Sequence, residues 1–94
     1  MAKLVVKTGP ETGTMYEVTD GLIIGRRQEV PVHVDDPKAS REHAKIVLRG
    51  EDYALVDLDS TNGIEYQGSH IDSKKIDEGD AFNICDYELR FSYR

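Results

Sequence analysis

The sequence predicts an all-β fold of the sandwich or barrel kind, and three observations carry that prediction. Apolar residues come in short runs or alternate with polar ones, which is the period-two pattern of half-buried strands. Clusters of Gly, Pro, Asp, Asn and Ser recur about every 8–12 residues, the spacing of strands joined by tight connections. No internal repeat, low-complexity tract or linker interrupts the pattern, so residues 1–94 read as a single domain with its core at about 4–92.

Taken in order, Leu4-Val5-Val6 forms the first strand and Thr8-Gly9-Pro10-Glu11-Thr12-Gly13 its turn. Met15 to Val18 rises again, and Asp20-Gly21 turns into Leu22-Ile23-Ile24. Val30, Val32 and Val34 alternate with Pro31 and His33, which suits an edge strand because proline cannot donate to a ladder. Asp36-Pro37 could cap a helix over Lys38 to Lys45, since Asp is a good N-cap and Pro a good first residue. Such a helix would bury only two alanines, so residues 36–42 read as a loop and Ala44 to Leu48 as a strand. Tyr53 to Asp57 follows the Arg49-Gly50-Glu51-Asp52 turn. Ile64 with Tyr66, Ile71, Ile76, Phe82-Asn83-Ile84 and Leu89 to Tyr93 complete the strand signals.

Composition excludes several classes of function. The 94 residues carry 12 basic and 18 acidic side chains, a net charge of −6, which argues against nucleic acid and against anionic membranes as partners. A hydrophobic share of 38% beside 32% charge fits a globular chain rather than a disordered one. The apolar runs, Leu4-Val5-Val6 and Leu22-Ile23-Ile24 among them, are too short for a membrane span or an export signal. One cysteine cannot form an internal disulfide, so a reducing cytoplasmic setting is expected. In Phe82-Asn83-Ile84-Cys85 that cysteine reads as a small packed hydrophobe rather than a reactive thiol.

Three polar motifs sit at strand ends, where a rigid scaffold can present them: Gly25-Arg26, Ser40-Arg41-Glu42-His43, and Asp59-Ser60-Thr61-Asn62-Gly63. Arginine offers a planar fork of donors suited to phosphate oxygens, hydroxyls donate to further oxygens, and the Asn amide can both donate to and accept from a peptide backbone. Such a set holds an anion rather than transforming it.

In this order and spacing, Gly25-Arg26, Ser40-x-x-His43 and Thr61-Asn62-Gly63 resemble the forkhead-associated (FHA) domain family, and the resemblance runs from Leu4 to Phe91. It implies a β-sandwich of two sheets and about eleven strands, of the SMAD/FHA type. It also implies that one end reads phosphothreonine peptides made by an upstream Ser/Thr kinase, without catalysis or cofactor. By position, Arg26, Ser40 and Thr61 would contact phosphate, Arg41 the phosphate or peptide backbone, and Asn62 the peptide main chain. His43 would be architectural, while Gly25 and Gly63 fit close turns or close backbone approach. Lys38 stands where the family reads residues after the phosphothreonine, and its charge leads to an expected preference for an acidic side chain about three residues C-terminal.

Other readings of the same residues are weaker. Arg27 would point away from Arg26 in an extended chain and reads as a surface charge. Ser40 and His43 lack an orienting partner for nucleophilic catalysis. His33, His43, His70 and Cys85 show no metal-ligand spacing. The Asp57–Gly68 stretch lacks the glycine and bidentate glutamate of a calcium loop, and Gly9 to Gly13 lack the ending of a nucleotide-binding loop. The competing functional class is a phosphate-independent interaction or self-association domain using a sheet surface. Thr8, Thr12, Thr14 and Thr19 could also be phosphorylated and bound by a neighbouring copy.

Overall fold

The computed structural model describes residues 2–93, and its eleven strands form two sheets with no helix among those residues. The strands are β1 Lys3–Val6, β2 Met15–Glu17, β3 Leu22–Gly25, β4 Val32–His33, β5 Ala44–Arg49 and β6 Asp52–Asp57, then β7 Ile64–Tyr66, β8 Ser69–Ile71, β9 Ser73–Ile76, β10 Ala81–Ile84 and β11 Tyr87–Ser92. One sheet runs β2-β1-β11-β10-β7-β8 and the other β4-β3-β5-β6-β9.

Register follows the alternation of apolar residues. Leu4 lies opposite Phe91 and Val6 opposite Leu89 in the first sheet, and Phe82 lies opposite Leu89 on the other side of β11. Leu22 faces Ile46 and Ile46 faces Leu55 in the second. All of these are buried, so the two inner faces interlock into one core, as packed sheets must. A one-residue slip in any pair would turn that strand's apolar set to solvent.

The expected loop over residues 36–42 is present, and the capped-helix alternative is not realised. The expected edge strand is narrower than the valine alternation suggested. Val30, Val32 and Val34 are all buried, yet only Val32–His33 pairs, parallel to β3 at the sheet edge. Pro31 has no N–H, and the Val30 N–H donates to the Arg27 carbonyl in a turn instead. Val18 and Tyr93 fall just outside β2 and β11. The segment around Ile71 and Ile76 is a change of sheet: β8 belongs to one sheet and β9 to the other, with Asp72 alone between them.

Because β5 runs antiparallel to both β3 and β6, the connections that leave β3, enter β5 and leave β6 meet at the same end of the second sheet. These connections contain all three polar motifs. The β1–β2 loop and the two-residue β10–β11 turn border them from the first sheet, since Thr8, Pro37, Lys38 and Asp86 line one groove.

Candidate functional site

The site begins at Gly25, the last residue of β3. A Cβ there would collide with the Arg41 carbonyl and crowd the Glu42 Cα, so only glycine lets the two loops lie this close. The Arg26 N–H then donates to the Ser40 carbonyl at 3.0 Å and the Arg27 N–H to the Arg41 carbonyl at 3.1 Å. Arg26 also donates from Nε to the Ala39 carbonyl at 2.9 Å, which aims the guanidinium while leaving its terminal nitrogens exposed.

His43 joins the second and third motifs from underneath. It is completely buried; the Ser40 N–H donates to Nδ1 at 3.0 Å, and Nε2 lies 2.7 Å from the Gly63 carbonyl. Nδ1 must therefore be the acceptor and Nε2–H the donor, the tautomer that satisfies both neighbours. Ser40 Oγ accepts the Thr61 N–H at 3.0 Å, which leaves its own hydroxyl proton for another acceptor. Asn62 Nδ2 donates to the Lys38 carbonyl at 2.7 Å and fixes the amide against the β4–β5 loop.

Two supports escaped the sequence reading. Ser60 donates from Oγ to the Asp57 carboxylate at 2.6 Å and accepts the Gly63 N–H at 2.9 Å, so it shapes the β6–β7 loop rather than facing the cleft. Asp36 accepts the Lys38 N–H on Oδ1 and the Asp86 N–H on Oδ2, tying the β4–β5 loop to the β10–β11 turn. It is 5% exposed. Its bond from the Lys38 N–H holds the carboxyl below its ordinary value despite the opposing cost of burial, helped by the Asp86 N–H and the Lys38 charge. The N-cap chemistry read at Asp36 is thus real, but it closes a turn and not a helix. An Asp followed by Pro before the motif was the available signal.

The result is an open cleft of about 490 Å³ lined by Arg26, Lys38, Ser40, Arg41, Thr61 and Asn62, with Leu58, Pro37 and Ala39 giving apolar wall and the carboxylates of Glu42 and Asp59 at its margin. Every candidate contact residue of the sequence reading lies on it, while Gly25, His43 and Gly63 hold it from beneath. Gly63 has φ 76°, a left-handed conformation that glycine adopts without strain.

The cations divide into two groups. Among the described residues, Arg26 and Arg41 have no carboxylate partner, whereas Arg27 pairs with Glu29 and Glu42 at 3.4 and 3.2 Å. Arg27 is thus occupied with its own carboxylates, in keeping with a surface charge. Lys38 Nζ pairs with Asp86 at 3.0 Å, and that hydrogen bond raises its pKa.

A second groove of about 540 Å³ adjoins the cleft across Pro37 and Lys38. Tyr87 lies at its base, donating to Glu11 at 2.6 Å while its hydroxyl oxygen accepts the Asp35 N–H at 3.2 Å. Cys85, at φ 54° in the β10–β11 turn, is half-buried against the core, and burial pushes its thiol pKa up, with the Asp36 charge adding to the effect. Among the described residues no group of three His, Cys, Asp or Glu side chains is placed to hold a metal ion.

A family model described as the FHA domain matches residues 22–85, which include all three motifs. The chain belongs to the FHA domain family. The glycogen accumulation regulator GarA of Mycolicibacterium smegmatis is 33% identical over 91 residues, covering 96% of this FHA chain and 58% of GarA. The chain thus spans little more than half the length of the GarA proteins it matches. A solved structure of Mycobacterium tuberculosis EmbR in complex with a low-affinity phosphopeptide superposes with TM-score 0.86 at 32% identity, covering 97% of this chain and 24% of that one. Another, from work on phosphothreonine-dependent FHA domain interactions, has TM-score 0.88 at 28% identity, covering 99% and 96%. The two-sheet sandwich expected from the motifs is therefore the family's fold.

Proposed function

We propose that this FHA domain is a phosphothreonine-reading interaction module, acting as one unit over residues 1–94 in kinase-linked signalling. The observation that carries the reading is a pair of guanidinium groups, Arg26 and Arg41, without carboxylate partners on a cleft that also presents two hydroxyls. In a chain of net charge −6, two such guanidinium groups converging with two hydroxyls on one cleft give a local anion-binding set. A phosphothreonine, with about −1.5 to −2 charges and three acceptor oxygens, supplies what they lack. The phosphopeptide bound by EmbR and the phosphothreonine dependence of the other relative support the same ligand class.

In this reading the terminal nitrogens of Arg26 and the Arg41 fork meet the phosphate oxygens, and the Ser40 and Thr61 hydroxyls donate to the remaining lone pairs. Each such bond to a charged group contributes about 1.5–3 kcal/mol. Asn62, already held by the Lys38 carbonyl, contacts the peptide main chain and sets its register. Lys38 reads a flanking residue. Leu58, Ala39 and Pro37 give the threonine methyl apolar contact, worth about 0.8 kcal/mol over serine.

Nothing in the cleft pairs a nucleophile with a base: His43 spends both ring nitrogens on Ser40 N–H and the Gly63 carbonyl. The module binds rather than catalyses, and a Ser/Thr kinase upstream makes its ligand. A cytoplasmic setting fits that chemistry and the single unpaired thiol. Self-association through phosphorylated threonines would draw on the exposed Thr14 and Thr19. Thr8 is engaged by the Asp86 carbonyl and Glu88 N–H, and Thr12 by the Gly9 carbonyl. The competing reading, a phosphate-independent partner on a sheet surface, draws on Met15, 61% exposed on the edge strand β2.

Fluorescence anisotropy with one peptide in phosphothreonine, phosphoserine and unmodified forms separates the readings. The phospho-module binds the first best, the second a few-fold less, and the third not measurably. Equal binding of all three would give the function to the sheet surface.

A further inference from the structure

The charge on Lys38 alone leads to the expectation of an acidic neighbour in the ligand, but its surroundings argue for a different outcome. Its ammonium already has a carboxylate, Asp86, at 3.0 Å. That pairing is built into the fold, because the buried Asp36 carboxylate binds the Lys38 N–H with one oxygen and the Asp86 N–H with the other. Thr8 Oγ1 donates to the Asp86 carbonyl at 3.2 Å and steadies the same turn. Loop and turn are thereby held at a separation that lets the two side chains meet.

Lys38 stands on the wall shared by the phosphate cleft and the adjoining groove, so a peptide anchored by its phosphate passes it on leaving the cleft. Any acidic peptide side chain reaching Lys38 must share or contest its ammonium with Asp86, whose charge repels it, and it meets the carboxylates of Asp35 and Glu11 along the same groove. We infer that Asp86 is a specificity-determining residue of the phosphopeptide site. It acts as an internal competitor that occupies Lys38 and selects against ligands acidic beside the phosphothreonine. This rests on the phosphothreonine reading and assigns the flanking selectivity of that same site. The device is repulsive as well as competitive, since specificity is a difference between ligands and a blocked cation rejects one class of them.

The test is a positional set of phosphothreonine peptides in which each flanking position carries Asp, Ala or Lys in turn, with an unphosphorylated control. It is titrated against wild type, Asp86→Asn, Lys38→Ala and the double variant. Wild type binds no Asp-bearing peptide better than its Ala counterpart. Asp86→Asn gains about two- to fivefold for Asp at one flanking position, the scale of an exposed ion pair, and the gain disappears in the double variant. Matching thermal melts establish that the exposed substitutions leave the fold intact. An acidic preference in wild type, or an Asp86→Asn profile identical to it, overturns the inference while leaving phosphothreonine binding standing. Binding that ignores the phosphate overturns the reading of the site and the inference with it.

Discussion

His43 and Gly25 show how single residues hold this site at a cost that substitution would expose. His43→Ala removes a completely buried ring and strands the Ser40 N–H and Gly63 carbonyl, so a loss of about 2–4 kcal/mol is expected in urea denaturation. Gly25→Ala drives a methyl into the Arg41 carbonyl, and the β3–β4 and β4–β5 loops must separate. Its expected signature is lost phosphopeptide binding with a lowered melting temperature, whereas Arg26→Ala, which gives up only the hydrogen bond to the Ala39 carbonyl, loses binding with a smaller melting change. Asp36 carries an acid dependence. Its folded pKa is lowered, so its stabilisation is fully present above the ordinary carboxylate value near 3.8 and is lost as pH falls through the folded one. Asp36→Asn should flatten that acid limb of the unfolding curve. At this scale the glycine, arginine, serine, histidine and asparagine of the motifs were legible because their chemistry is unusual at strand ends. Ser60 and Asp36 were not recognised as supports, because a hydroxyl or carboxylate turned toward backbone N–H groups has the same sequence signature as one turned to solvent.

Among the elements, short apolar runs and alternation of apolar with polar residues revealed β1, β3, β5, β6, β10 and β11, the strands that build the core. They could not show that β8 and β9 part company at Asp72, since strands of three and four residues contain too few positions to display a period. The parallel pairing of β4 was also hidden, because pairing direction depends on where the chain returns and not on the strand's composition. The β7–β8 hairpin turns at Gln67 and Gly68 with φ of 49° and 81°, the signs of a type I′ turn, in which asparagine is preferred to glutamine at the first position. Gln67→Asn is therefore expected to raise stability by about 0.5 kcal/mol, read as a higher melting temperature with unchanged ligand affinity.

For the molecule as a whole, the two sheets close one core and gather the loops that carry all the chemistry at one end. Tyr87 links these levels: on β11 at the edge of the core, it reaches Glu11 of the β1–β2 loop and the Asp35 N–H. Burial above all, then the bond to Glu11, pushes its pKa up to about 12. The folded state therefore favours the neutral phenol. That contribution is intact below pH 10 and is lost as pH rises toward 12, so Tyr87→Phe should unfold with a weaker alkaline dependence than wild type.

Fold class and cleft were both readable from sequence because the motifs lie at strand ends that the alternation already located. Flanking selectivity was not readable, since it turns on Lys38 meeting Asp86 across 48 residues of chain. The central claim is that the cleft presenting Arg26 and Arg41 binds phosphate, and calorimetric titration of a degenerate phosphothreonine library tests it most directly. The titration sets that library against its unphosphorylated twin on wild type and Arg26→Ala. Saturable binding by wild type to the phosphorylated library alone, abolished in Arg26→Ala while that variant still melts cooperatively as a folded domain, is the expected result. Equal heats from both libraries, or phosphopeptide binding that survives Arg26→Ala, would contradict it.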